Sequence, residues 1–267
     1  MPRLPVTIDI SGQLVLLGTG TSVGVPAIGC GCEVCRSGNA KNYRTRCSAI
    51  LGLPAGNLLI DTSPDLRQQL LRENIGIVHA VLYTHEHADH VFGLDDLRLM
   101  QFYLGGPVPL YCEEKVEQRI RKSYDYAFGA TGTHPGAVPQ LMFRPITTAP
   151  FDVLGARITP IPMRHGPRFD VLGFRIGNVA YCTDTNGIPR ASMALLSGLD
   201  CLVLDALRPT GHATHFGLDE AIEVARQLSP VQTYFTHMSH ELEHEATNAR
   251  LPNGMALAFD GQRIPLT

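Results

Sequence analysis

Five short apolar runs in this chain each deliver a histidine or an aspartate at their carboxyl end. Leu58-Leu59-Ile60 leads into Asp61, Ala80-Val81-Leu82-Tyr83-Thr84 into His85, and Val179-Ala180-Tyr181-Cys182-Thr183 into Asp184. Further on, Leu202-Val203-Leu204 leads into Asp205 and Val231-Gln232-Thr233-Tyr234-Phe235-Thr236 into His237. Apolar runs of this length, with turn formers nearby, predict buried strands. Buried strands are rigid supports, so polar residues gathered at their ends predict a site built on a scaffold. Helical stretches lie between the runs. Ser63-Pro64-Asp65 followed by Leu66, Leu70 and Leu71 predicts a helix with proline in its first turn. Gly217 to Leu228 carries an apolar stripe of Leu218, Ala221, Ile222, Ala225 and Leu228, and Glu113 to Tyr124 is a third helical candidate. Strands alternating with helices predict buried sheet flanked by helices. The Gly, Pro and aromatic content from Gly105 to Pro150 predicts an irregular insertion over one edge of the core. No tandem repeat stands out.

At 267 residues and 44% hydrophobic content, the chain is long enough for one substantial core, and a single domain over residues 1–267 is expected. Net charge is only −3 and Lys41, Lys115 and Lys122 are the sole lysines, so a broad surface for large nucleic acid is not expected. Arginine suits forked contacts to a small anion. The opening Met1-Pro2-Arg3-Leu4-Pro5 does not resemble a signal peptide, and no run of about 18 apolar residues is present, so a cytoplasmic protein with no membrane partner is expected. Gly18-Thr19-Gly20-Thr21-Ser22-Val23-Gly24 is not a dinucleotide fingerprint, because the third glycine is displaced and Pro26 follows where a helix should begin.

The strand ending at Thr84 is followed by His85-Glu86-His87-Ala88-Asp89-His90. In an extended loop, residues two apart project to one side, so His85 and His87 can grip one ion while Asp89 and His90 turn toward a second. Imidazole with carboxylate suits zinc, manganese or iron. Another cluster, Cys30-x-Cys32-x-x-Cys35, is too tight for an ordinary disulfide framework and predicts metal binding in a reducing compartment. Three thiolates need one more ligand to close a tetrahedral zinc site. His240 is the candidate and His244 its rival. The other cysteines, Cys47, Cys112, Cys182 and Cys201, sit singly in apolar surroundings and are expected as buried thiols.

His85-x-His87-x-Asp89-His90 matches the H-x-H-x-D-H signature of the metallo-β-lactamase superfamily. The resemblance spans most of the chain, since His165 in Met163-Arg164-His165-Gly166, Asp184 in Thr183-Asp184-Thr185 and His237 in Thr236-His237 match the family's later positions in order. It implies a four-layer αββα sandwich. It further implies that His85, His87 and His165 hold one catalytic metal, that Asp89, His90 and His237 hold the other, and that Asp184 bridges them. In such a site two cations about 3.5–4 Å apart share a hydroxide nucleophile and stabilise charge developing on the substrate. Asp61 resembles the family's aspartate that orients a ligand histidine, although a turn or capping role suits it equally. Asp205 is ambiguous. The cysteine cluster paired with His240 resembles the branch that includes a cyclic-phosphate phosphodiesterase. In that branch a histidine before the last metal ligand resembles the general acid, which places His215, with Asp89, among the catalytic residues and leaves His212 as the alternative acid.

These features together predict a metal-dependent hydrolase of a small or cyclic phosphodiester of a sugar or nucleotide, with two catalytic divalent metals (zinc or manganese, with iron compatible) and one structural zinc. Related enzymes are often dimers, so a homodimer is compatible. Hydrolysis of a thioester or lactone, transfer RNA processing and a non-catalytic metal-binding accessory role are the alternatives. Arg44, Arg46, Arg164 and Arg168 are candidate phosphate clamps, and Tyr124, Tyr126 and Phe128 candidate stacking residues.

Overall fold

The structure is a computed structural model that describes residues 4–128 and 137–266. Residues 1–3, residues 129–136 inside the expected insertion, and residue 267 lie outside it. Two seven-stranded sheets carry the fold. The first takes β1 (Gln13–Gly18), β2 (Ser48–Leu53), β3 (Gly56–Ile60), β4 (Ala80–Leu82), β5 (Val108–Cys112) and β6 (Leu141–Pro145) in chain order. The second takes β7 (Phe151–Val153), β8 (Ala156–His165), β9 (Phe169–Ile176), β10 (Val179–Cys182), β11 (Cys201–Asp205), β12 (Gln232–Thr236) and β13 (Met255–Leu257), while β14 (Gln262–Pro265) returns to pair with β1. Helices α1 (Leu66–Arg72), α2 (Ala88–Val91), α3 (Met100–Leu104), α4 (Glu114–Ser123), α5 (Arg190–Leu195), α6 (Leu218–Leu228) and α7 (His244–Asn248) fill the connections.

Alternation along the strands explains the layers. In β1, Leu14 and Leu16 face the second sheet in one core with Ile158, Met163, Phe174, Leu202 and Leu204. Val15 and Leu17 point the other way, into a second core with Leu66 and Leu70 of α1 and Val116 and Ile120 of α4. Both faces are thus apolar, as expected of sheet covered on each side. Each such aliphatic side chain contributes roughly 1.5–3 kcal/mol by burial. The result is the αββα sandwich anticipated above. No helix among the described residues is long and apolar enough to cross a membrane.

The two sheets share a plan: an antiparallel portion (β1–β2–β3 and β8–β9–β10) runs into a parallel portion (β3–β4–β5–β6 and β10–β11–β12–β13). Carboxyl ends of adjacent parallel strands open onto one edge, the usual place for a site in such sheets.

One sequence expectation needs correction, and one element had no counterpart in the sequence reading. The described residues between Gly105 and Pro150 are not an irregular cover, because β5, α4 and β6 extend the parallel part of the first sheet. Pro109 fits there because β4 pairs only with Leu110 and Tyr111. The hairpin of β8 and β9 was not anticipated, since Pro160 and Pro162 interrupt its pattern. Both lie beyond the β7 ladder, which stops at Ile158, so neither removes a hydrogen bond on that side.

Candidate metal centre and active site

Asp61 and His237 follow directly on β3 and β12, Asp184 follows β10 after Thr183, and the three adopt left-handed φ values of 61°, 59° and 55° in that order. Asp and His are among the few side chains that enter this region readily. The turn swings each side chain across the strand ends, where local strain is a common mark of functional sites. Asp61 is fully buried and accepts from the Thr84 amide and hydroxyl, both at 2.8 Å, with His90 Nδ1 2.7 Å away. Having donated to Asp61, the Thr84 hydroxyl can accept from His85 Nδ1 at 2.9 Å. Carboxylate, hydroxyl and two imidazoles thereby lock in sequence, leaving Nε2 of both histidines directed into the site. His165 is fixed in the same way, its Nδ1 donating to the Thr214 carbonyl at 2.8 Å.

The donor atoms form two sets, His85 with His87 and His165, and Asp89 with His90, Asp184 and His237. Within each set they lie within 4.8 Å of one another. Asp184 stands 3.2 Å from His90 Nε2 and 3.1 Å from His237 Nε2, and also groups with His165 and His215. The seven sequence-selected residues therefore converge.

Their polar atoms fit cations. Nε2 of His85 is buried without a hydrogen bond, a condition that costs about 1–3 kcal/mol unless another partner is supplied, and Nε2 of His90 and His237 faces carboxylate oxygens without a well-aligned hydrogen bond. Burial opposes charge on every group here. Yet His237 and His90 hold Asp184 well below the usual carboxylate range, and Asp184 together with Asp89 raises His90 and His237 well above the usual imidazole range. Burial lowers His85, with help from His90, and brings His165 down to about 4, which keeps these two neutral and able to donate a lone pair. A carboxylate pair that draws positive charge into a buried space, beside neutral imidazoles with free nitrogens, matches the requirements of divalent cations.

His215 approaches from the loop before α6. Its Nδ1 lies 2.7 Å from Asp205 Oδ2, and its ring centroid is 4.7 Å from that of His165 and 4.6 Å from that of His237. His212 is exposed, interacts with Thr214 Oγ1 at 3.1 Å, and has its ring 5.6 Å from His215. Sequence reasoning left Asp205 unassigned, though its strand-end position was the available signal. No local pattern marked Thr84 or Thr214.

Cys30, Cys32, Cys35 and His240 form a separate set, with donor atoms within 4.8 Å of one another. The sulfurs of Cys30 and Cys35 are both 3.3 Å from His240 Nδ1. The Ala27 amide points at Cys35 Sγ and the Cys35 amide at Cys32 Sγ, each at 3.4 Å. The latter contact lowers the Cys32 thiol, whereas burial pushes Cys35 up to about 11, so a cation is what would draw Cys35 to thiolate. His244 belongs to no such set among the described residues. The short loop from His237 to His240 joins the two centres. Its Met238 amide donates to Thr19 O at 2.9 Å, and Arg44 donates to the Ser239 and Leu242 carbonyls at 2.8 and 2.6 Å.

Arg44 is fully buried in that brace and so is closed to a phosphate, while Arg46 is paired with Asp65 at 2.6 Å. Arg164 and Arg168 are exposed. Tyr124 is buried with its hydroxyl on Val91 O, Tyr126 bonds Asp95, and Phe128 packs on Phe143, which accounts for all three as local structure. The phenyl ring that does meet the histidines is Phe169, 4.9 Å from His87.

The sequence profile of the beta-lactamase superfamily domain matches residues 56–238. An octanoyltransferase of Porphyromonas gingivalis is 36% identical over 252 residues, covering 93% of this chain and 50% of that protein, so the chain spans about half the length of this curated relative. A diphosphatase of the PhnP family superposes with a TM-score of 0.89 at 42% identity, over 96% of this chain and 98% of that one. Zinc-bound PqqB of Methylobacterium extorquens shares the fold, with a TM-score of 0.76 at 21% identity over 95% of this chain and 100% of that one. By its profile match, its shared fold and its likeness to that diphosphatase, the chain belongs to the metallo-β-lactamase superfamily, in its PhnP-like branch.

Proposed function

We propose that this chain is a metal-dependent hydrolase of a small phosphodiester, with His215 as the acid that protonates the leaving oxygen. His85, His87 and His165 would hold one divalent ion, and Asp89, His90 and His237 the other, with Asp184 placed to serve both. Zinc or manganese suits these donors, and zinc suits the cysteine set. Bound there, such ions supply nucleophile activation and charge neutralisation.

The observation that carries the reading is the His215–Asp205 pair beside the metal-ligand candidates. With Nδ1–H held by Asp205, Nε2 is the nitrogen that faces substrate. As water adds to phosphorus and the bond to the leaving oxygen breaks, the Nε2 proton passes to that oxygen. The imidazole then regains a proton from solvent. His165 and the Thr214 carbonyl keep the loop that carries His215 in register with the site.

A second reading, hydrolysis of an acyl thioester, is favoured by the likeness to a protein named octanoyltransferase. An activity panel on metal-reconstituted protein separates the two. Turnover of alkyl and cyclic phosphodiesters, with little turnover of octanoyl thioesters, is expected. The reverse preference would establish the second reading instead.

A further inference from the structure

We infer that Phe169 forms a stacking wall at the mouth of the site and that the phosphodiester it admits carries a planar aromatic group, a nucleobase. The inference rests on the phosphodiester reading and names the substrate's other half. In the β8–β9 ladder Phe169 lies directly opposite His165. Residues opposite one another in an antiparallel pair project to the same face, so the phenyl ring and the imidazole share the site side of the hairpin. The ring meets His87 at 4.9 Å and 76° and His165 at 6.3 Å, yet remains 41% exposed. It is therefore packed at one side and open at the entrance.

The hairpin tip is held from two directions. On one side Lys115, paired with Glu113 at 3.2 Å, donates to the carbonyl of Asp170, the residue after Phe169. On the other, the Gly166 amide donates to Asn186 Oδ1 at 2.8 Å while Asn186 Nδ2 donates to Ala213 O at 2.8 Å, tying the tip to the loop that carries His215. Gly166 has φ +71°, and a Cβ there would stand 2.6 Å from Thr214 Cγ2, so tip and loop are in close contact. A rigid ring presented in this way binds with little loss of conformational entropy. Among the described residues its ring partners are the imidazoles of His87 and His165, and its sequence neighbours are the polar Arg168 and Asp170. A phenyl face without polar atoms accepts any base by its π-surface.

The test combines kinetics with binding. For metal-loaded Phe169→Leu, KM for a nucleoside 2′,3′-cyclic phosphate is expected to rise roughly five- to hundredfold, the range associated with one stacked base, with kcat nearly unchanged. KM for a base-free cyclic phosphate of the same sugar should stay constant. The chain contains no tryptophan, so Phe169→Trp installs a single indole at the proposed wall, excited selectively over the eight tyrosines at the red edge of their absorption. Adenosine monophosphate should quench it, whereas ribose phosphate and octanoate should not. Equal KM changes on both cyclic phosphates, quenching by octanoate alone, or no quenching by the nucleotide would each overturn the inference. The binding arm needs no turnover: nucleotide quenching in a protein inert toward every phosphodiester would sink the hydrolase reading and leave the aromatic wall standing.

Discussion

Asp205 Oδ2 sits 2.7 Å from His215 Nδ1 and also accepts the Thr185 amide at 2.7 Å. A single oxygen thus fixes the acid's ring and the backbone next to Asp184. His215→Ala should slow hydrolysis of an alkyl or cyclic phosphodiester by about 10²–10⁴-fold while slowing a p-nitrophenyl ester much less, because nitrophenolate departs without a proton. Asp205→Asn should show the same leaving-group dependence, since an amide cannot stabilise imidazolium. His212→Ala is the control. Equal losses on both esters would indicate that His215 only positions the substrate, and a larger leaving-group effect for His212→Ala would transfer the role to that residue.

Removing Asp184 or His87 takes away a candidate metal ligand without opening the apolar core. Asp184→Ala and His87→Ala should abolish hydrolysis of an activated phosphodiester, with far-ultraviolet dichroism unchanged. Strong activity in either metal-loaded variant would contradict a two-metal site.

Asp61 contacts His90 and Thr84 but is fully buried behind them. Its effect should therefore be felt in metal retention. Asp61→Asn is expected to weaken binding of the catalytic metal by about 10- to 100-fold, measured by chelator competition, with zinc content at the cysteine centre preserved. Unaltered affinity would reduce Asp61 to a turn residue.

Cys30, Cys32 and Cys35 close a chain segment of more than two hundred positions when joined to His240 through one ion. Cys32→Ser should lower bound zinc and the melting temperature together, because metal held only by the folded state adds its binding free energy to stability. Full zinc content with an unchanged melting point would remove the structural-zinc assignment.

The layered fold class and the clustering of ligand candidates were legible in the sequence, whereas the strand pairing that frames the site was not. His85, His87, Asp89 and His90 declare themselves because clustered ligands after an apolar run have few other uses, and His165, Asp184 and His237 follow from family order. What is missing from the sequence reading depends on long-range pairing. The β8–β9 hairpin hides behind Pro160 and Pro162, which are tolerable only because β7 stops short. Phe169 looks ordinary until its register with His165 is known. Arg44 resembles an anion ligand until the fold buries it against two carbonyls contributed from residues 239 and 242. Asp205 had the correct strand-end position but no partner visible in the sequence.

The loop from His237 to His240 has a thermodynamic consequence. One ligand candidate of each centre lies on it, so ordering it for one ion prepares it for the other. Such coupling is reciprocal: whatever free energy the cysteine-bound zinc adds to metal affinity at His237, the catalytic ions return to zinc affinity at His240. Zinc extraction by a chelator should therefore be weaker with manganese bound at the histidine centre than in its absence, and identical extraction would show the centres to be independent. Where the coupling holds, shortage of one metal is felt at the other metal's site.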